Sequence, residues 1–181
     1  MVAVGTGVAP FVAFAQERKA LEAVARMGPA MLFTGCRRKG ERICTEVFED
    51  ALKTGILKSY STALSREAGV PKQHVTDVVR LAAQEVWEML KQPKCHYYFC
   101  GEGHMSDSAY EALLASLMQG GSISRAKSVA VLNQMRAEGR YHLDVWGVVN
   151  HGNAARELRQ RQSNLAKKWL ASIRDEDEEE A

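Results

Sequence analysis

The chain has no apolar run approaching the roughly 20 residues that cross a bilayer, and its start lacks the basic-then-apolar layout of a secretory leader. No membrane segment is therefore expected in it. Cysteine is scarce: Cys36, Cys44, Cys95 and Cys100 are the four, at spacings that fit no C-x-x-C zinc or redox pattern. A reducing, cytoplasmic compartment is the simpler reading. His96 and His104 also lack ligand spacing, so no metal site is expected. Net charge is small as well, formally +2. That total conceals an asymmetry, because Asp175 to Glu180 are six consecutive carboxylates. The rest of the chain carries a formal +8. A basic body of this kind suits a polyanion: nucleic acid, an acidic protein face or a phosphorylated small molecule.

What is present is the balance of a compact globular domain: 181 residues, 46% hydrophobic and 25% charged, which excludes a disordered tail, a collagenous fibre and a disulfide-stapled scaffold. Short β-favouring runs alternate with helical patterns of about 15 residues, the signature of a parallel sheet with crossover helices. The runs are Val2 to Val4, Ala30 to Thr34, Leu57 to Ala63, Cys95 to Cys100 and Tyr141 to Trp146. The helical segments between and after them are Ala9 to Arg26, with Pro10 in its opening turn, and Glu41 to Thr54, stopped by Gly55. Three more follow: Gln73 to Lys91, ending before Pro93; Asp107 to Met118, broken at Gly120-Gly121; and Ser124 to Glu138, serine-capped and closed by Gly139.

These elements predict an α/β domain over residues 1–147, a doubly wound five-stranded parallel sheet. A C-terminal helical extension over 148–181 is expected to carry the acidic tip. In the extension, Leu158, Leu165, Trp169 and Ile173 form one stripe of a helix-period segment from Asn153 to Arg174. The opening Met-Val-Ala-Val runs straight into a glycine loop, which reads as a fragment of a longer protein.

In doubly wound sheets ligands bind beyond the carboxyl ends of the strands, and the unusual residues lie there. Gly5-Thr6-Gly7 joins the first strand to the first helix, where free N–H groups and the helix dipole would face an anion. A tight turn that merely needs glycine is the plainer alternative. Ser65 and Arg66, with Lys72 and His74 beyond, place a hydroxyl and two cations after the third strand, the groups a phosphomonoester needs. A solvated basic loop is the alternative. Gly35-Cys36-Arg37 follows the second strand, its arginine again available to a phosphate. Cys100-Gly101-Glu102-Gly103 follows the fourth, where the glycines admit a flat ligand, or where Cys100 is an inert small hydrophobe. Trp146 could stack on a planar ring, or serve as core. Asp144, two residues back along the strand, would point to the same side.

Taken together, Gly-Thr-Gly-Val-Ala-Pro-Phe at 5–11, Gln16-Glu17-Arg18, Gly35-Cys36-Arg37, Ala63-Leu64-Ser65-Arg66-Glu67, Cys100-Gly101-Glu102, Gly139-Arg140-Tyr141 and Asp144-Val145-Trp146 carry a resemblance. In their order and near-family spacing they resemble the NADP-binding domain of the ferredoxin-NADP reductase superfamily. The likeness is to its diflavin branch, NADPH-cytochrome P-450 reductase above all. The resemblance implies that Gly5, Thr6 and Gly7 hold a pyrophosphate with Cys36 and Arg37 beside it, and that Ser65, Arg66 and Lys72 grip the 2′-phosphate of NADP(H). It further implies His74 and Thr76 beside the adenosine, and Met105 and Asp107 (or Ser108) near the cofactor. Cys100 and Asp144 would line the nicotinamide pocket as catalytic residues, and Trp146 would stack on the isoalloxazine of FAD.

The implied activity is hydride transfer from NADPH to FAD and electron flow through FMN to a haem or iron-sulfur acceptor. The implied partners are the chain's own upstream FAD- and FMN-binding domains and a redox acceptor protein, with no nucleic acid. The flavin-binding barrel, with its Arg-x-Tyr-Ser segment, is not in this sequence, so tight FAD binding is not expected of this chain alone. A full-length protein anchored to the endoplasmic reticulum by another segment is compatible with the branch. The alternatives within the branch are a sulfite reductase flavoprotein and an iron-sulfur-assembly diflavin reductase. Outside it stands a non-catalytic nucleotide-binding or interaction module. The nitric oxide synthases of this branch also continue past the tryptophan, which implies a regulatory tail; a solvated extension is the other reading.

Overall fold

The structure is a computed structural model that describes residues 1–21 and 28–147. The expected extension and its acidic tip, with residues 22–26 of the first predicted helix, lie outside the described residues. The elements run β1 (Val2–Val4), α1 (Ala9–Leu21), β2 (Met31–Cys36), α2 (Thr45–Lys53), β3 (Ser59–Leu64), α3 (Val75–Leu81), α4 (Ala83–Leu90), β4 (Tyr97–Glu102), α5 (Gly103–Gly120), α6 (Arg125–Ala137) and β5 (Tyr141–Trp146). Short 3₁₀ turns at Gly5–Val8 and Lys39–Glu41 follow β1 and β2.

The five strands form one sheet in the order β3-β2-β1-β4-β5, and every pairing is parallel. The expected doubly wound α/β class is what the chain adopts. Alternate side chains leave a strand on opposite faces, and the two faces build two cores. Val2, Phe33, Tyr97 and Phe99 enter one with buried residues of α3 to α6, including Val79, Leu90, Leu114, Leu117, Leu132 and Met135. Ala3, Leu32 and Cys100 enter the other with Phe11, Ala15, Phe48 and Ala51 of α1 and α2. Near-continuous burial along β1, β2 and β4 is what a sheet covered on both faces requires.

Several boundaries differ from the sequence reading. The second helix begins at Thr45, because Cys44 takes a left-handed conformation (φ 53°). Ile43 thus falls outside the helix and is exposed. β2 and β4 each run two residues past their predicted ends, so Cys36 closes β2 and Cys100 to Glu102 lie within β4. α5 starts immediately after, at Gly103. The third predicted helix is two: α3 and α4 meet at Ala82, whose ψ of 26° departs from helical geometry.

Packing of α5 accounts for that break, since no glycine or proline is there to signal it. The buried Ser116 hydroxyl lies 3.1 Å from the Val79 carbonyl beside the break, and 2.9 Å from Ala112 of its own helix. At the end of α5, Gly120 rests on the first turn of α4. A Cβ there would stand 2.2 Å from the Ala83 carbonyl oxygen and 3.0 Å from the Gln84 Cα, both backbone atoms that cannot swing aside. Overpacking of this kind costs about 1–3 kcal/mol, more than the roughly 1 kcal/mol alanine gains over glycine within a helix. Gly120→Ala is therefore expected to lower Tm by several degrees, roughly 2–4 °C per kcal/mol, in thermal denaturation followed by circular dichroism. An unchanged or raised Tm would show that the contact is slack.

Candidate dinucleotide site at the carboxyl edge of the sheet

The strand order reverses between β1 and β4, which makes their carboxyl ends the switch point at which such sheets open a crevice. The Gly5-Thr6-Gly7 turn sits there. Gly5 has φ +56°, a left-handed conformation that glycine adopts without penalty, and nothing lies within 4 Å of where its Cβ would be. Gly7 faces the opposite situation. A Cβ on it would be 2.1 Å from the Cys100 carbonyl oxygen and 3.2 Å from the Gly101 nitrogen. The turn is thus pressed on the end of β4, while its open side and the exposed Thr6 lead into α1, whose N-terminal dipole favours an anion.

On the β2–β3 side, ladder-like bonding continues past the strands. Ser65 N–H donates to the Cys36 carbonyl (3.0 Å), and Arg66 N–H donates to that of Arg37 (2.7 Å). The Glu67 carboxylate accepts the Lys39 N–H at 2.6 Å. Gln73 N–H returns to the Leu64 carbonyl (3.0 Å), which draws the Lys72 loop onto the end of β3. Arg37, Arg66 and Lys72 are exposed. Among the described residues none of the three makes an ion pair. His74 caps α3, its N–H held by the Asp77 carboxylate at 2.8 Å, and exposes its side chain beside Thr76. Burial, followed by the nearby Glu41 carboxylate, raises the Cys36 thiol above its ordinary pKa.

On the β4–β5 side, register places Cys100 opposite Asp144 and Glu102 opposite Trp146. The Cys100 thiol donates to Asp144 Oδ2 at 3.4 Å. Burial first, then the hydrogen bond and charge of Asp144, push this thiol up to about 11. It stays protonated at neutral pH. Trp146 is 43% exposed, which decides against the core reading. Met105 and Asp107 both lie in the first turns of α5, Met105 packed on the α3–α6 core and Asp107 in solvent.

The structure thus brings Gly5, Thr6, Gly7, Cys36, Arg37, Ser65, Arg66, Lys72, Cys100, Asp144 and Trp146 to one edge. Sequence reasoning missed how that edge is braced, and missed a neighbouring feature of the β4–β5 face. Tyr98 and His142 stack at 4.4 Å between centroids, His96 stacks on His142 at 5.4 Å, and the two imidazoles approach to 3.1 Å between nitrogens. Burial and the nearby His96 lower the pKa of His142. Period-2 alternation from Cys100 and Asp144 would have found these residues once β4 and β5 were paired.

Since the Asp144 charge raises the Cys100 pKa, Asp144→Asn is expected to lower it. Alkylation of Cys100 by iodoacetamide, followed by mass spectrometry across pH 7–10, should then accelerate several-fold at a given pH. An unchanged profile would mean that burial alone holds the thiol.

Comparison with known proteins fits this edge. Residues 1–111 match the oxidoreductase NAD-binding domain family. A nitric oxide synthase-like protein of Bombyx mori is 33% identical over 151 residues, 82% of this chain and 14% of that protein. The NADPH–cytochrome P450 reductase of Musca domestica is 34% identical over 149 residues, 81% of this chain and 22% of that protein. The sulfite reductase [NADPH] flavoprotein alpha-component of Photobacterium profundum is 37% identical over 148 residues, 81% of this chain and 24% of that protein. The chain spans less than a quarter of the length of these relatives. Its parallel sheet, its glycine turn at the switch point and its match over most of the described residues agree: the chain belongs to the oxidoreductase NAD-binding domain family.

Proposed function

We propose that this chain is the NADPH-binding domain of a flavin-dependent NADPH reductase of the diflavin type. The observation that carries this is the polarity of the carboxyl edge. Arg37, Arg66 and Lys72, exposed and unpaired among the described residues, stand beyond β2 and β3, the glycine turn lies at the middle, and a thiol–carboxylate pair with an exposed indole stands at β4 and β5. Four interstrand steps of about 4.8 Å separate the two ends, about 19 Å, the scale of an extended dinucleotide.

In this reading, Arg66 and Lys72 with the Ser65 hydroxyl bind the 2′-phosphate, and the Gly5–Gly7 amides and Arg37 hold the pyrophosphate. A guanidinium grips two phosphate oxygens at once, so Arg66 supplies both charge and direction. His74 and Thr76 flank the adenosine, and Met105 and Asp107 border the nicotinamide end. Cys100, kept as a neutral thiol, orients the carboxamide end of the ring without adding charge. Asp144 faces the ring that becomes cationic on oxidation, which favours product formation electrostatically. Trp146 covers the face on which a flavin ring would lie and leaves it when nicotinamide enters.

The bound cofactors supply hydride transfer from NADPH to FAD and onward electron transfer through FMN; the protein supplies position and field. FAD and FMN are held by the upstream domains proposed as partners, and a haem or iron-sulfur protein is the proposed final acceptor. Relatives that differ in what they reduce share this domain at similar identity. What the domain contributes is therefore the NADPH end of the reaction, and the acceptor is a property of the rest of each protein. Residues 1–147 are proposed as the nucleotide-binding unit and 148–181 as an appended segment. Among the described residues no helix is long and apolar enough to cross a membrane.

Calorimetric titration of the chain with NADPH and NADH tests the reading. NADPH should bind at least about tenfold tighter, since hydrogen bonds between charged groups are each worth roughly 1.5–3 kcal/mol, and Arg66→Ala should remove most of that preference. No binding to either nucleotide would sink the reductase reading. Equal binding would sink the role given to Arg66 and Lys72.

A further inference from the structure

We propose, on the basis of the NADPH reading above, that Glu67 is a positioning residue for 2′-phosphate selectivity, acting as a clamp that joins the loop carrying Arg37 to the loop carrying Arg66. An acid is out of place in this neighbourhood by charge alone. Arg37, Arg38, Lys39 and Arg42 follow β2, and Arg66 and Lys72 follow β3. A carboxylate among them weakens the field that attracts a dianion. Its geometry gives it another role.

The Glu67 Oε2 accepts the Lys39 backbone N–H at 2.6 Å, across a sequence separation of 28 residues. That distance is short for an N–H donor, as bonds to an ionised acceptor are. Lys39 opens the 3₁₀ turn Lys39–Glu41, and the Arg42 side chain closes the same turn by donating to the Lys39 carbonyl at 3.3 Å. The turn is therefore tied from inside by Arg42 and from the neighbouring loop by Glu67. Two further bonds, from Ser65 and Arg66 N–H to the Cys36 and Arg37 carbonyls, join the same two loops. These lie next to the strand ends, whereas the Glu67 bond lies outermost, past both arginines.

Without the outer bond the Arg37–Glu41 segment is pinned at its strand end only. Arg37 and Arg66 sit on adjacent residues of the two loops' inner rungs, so a loss of register between the loops moves one guanidinium relative to the other. Two cations that must meet one phosphate pair bind most tightly when their separation is fixed beforehand, because no ordering entropy is then lost on binding. Glu67 gives up some attractive field and fixes that separation.

Titration of the full chain with 2′,5′-ADP and, separately, with 5′-ADP by calorimetry reads this role. Glu67→Ala should weaken 2′,5′-ADP about tenfold and leave 5′-ADP within about twofold. Glu67→Gln, whose amide oxygen still accepts the Lys39 N–H, should stay within about twofold of the parent for both. Retained 5′-ADP binding shows that a variant is folded. If Glu67→Ala binds 2′,5′-ADP as tightly as the parent or tighter, Glu67 acts only through its charge and the clamp is overturned. Loss in Glu67→Gln equal to that in Glu67→Ala overturns it too. Arg66→Ala separates this failure from failure of the NADPH reading. If it leaves the preference for 2′,5′-ADP intact, that reading falls and the clamp with it; if it removes the preference while Glu67→Ala does not, the clamp alone falls.

Discussion

The contact on which the site depends is the approach of the Gly7 backbone to the Cys100 carbonyl. It joins the first crossover turn to the strand on the other side of the topological switch, and only a residue without a Cβ permits it. The anion-accepting turn and the thiol–carboxylate pair thereby become neighbours, although 93 residues of chain separate Gly7 from Cys100. Were the turn lifted by one side-chain radius, the N-terminus of α1 and the end of β4 would no longer share one crevice. Gly5 and Gly7 thus do different work within three residues: one supplies the backbone conformation and the other supplies the proximity.

The edge built around that contact is electrically graded. Its β2–β3 side holds Arg37, Arg66 and Lys72, exposed and without carboxylate partners among the described residues, and its β4–β5 side holds Asp144, Glu102 and a thiol that burial keeps neutral. A ligand with phosphates at one end and a neutral or cationic ring at the other is aligned by such a gradient before any close contact forms. Ion pairs elsewhere, such as Arg125–Glu111 and Lys19–Asp50, cancel within themselves and leave the gradient unchanged. Arg37, Arg66 and Lys72 at the strand ends make no such pair among the described residues, which leaves their charge available to an anion.

Legibility in the sequence followed the range of the forces involved. The strand–helix alternation and the capping Ser124 are local signals, and each is present in the structure: Ser124 accepts the Lys127 N–H as expected of an N-cap. The break at Ala82 was not legible, since Ser116 and Gly120, which impose it, lie more than thirty residues away and carry no helix-breaking signature at the break itself. The two extra residues of β4 were hidden for a similar reason. Gly101 and Glu102 have poor strand propensity, and pairing with Val145 and Trp146 overrides it. The cations of the site could be read because position after a strand suffices to place them. Glu67 could not, because an acid in a basic loop looks like solvation until its hydrogen-bond partner is known.

The aromatic side of the edge is likewise a product of pairing at long range. α1 and α2 pack the Ala3–Leu32 face over β1 to β3, and Phe14 at the margin of α1 reaches Tyr98 edge-on at 5.0 Å. Beyond that contact, His142, His96, Asp144 and Trp146 occupy the continuation of the face over β4 and β5 with no helix of the described residues upon them. Period-2 alternation along β4 and β5 lays the His96–His142–Tyr98 stack, the Asp144 carboxylate and the Trp146 indole side by side on one face.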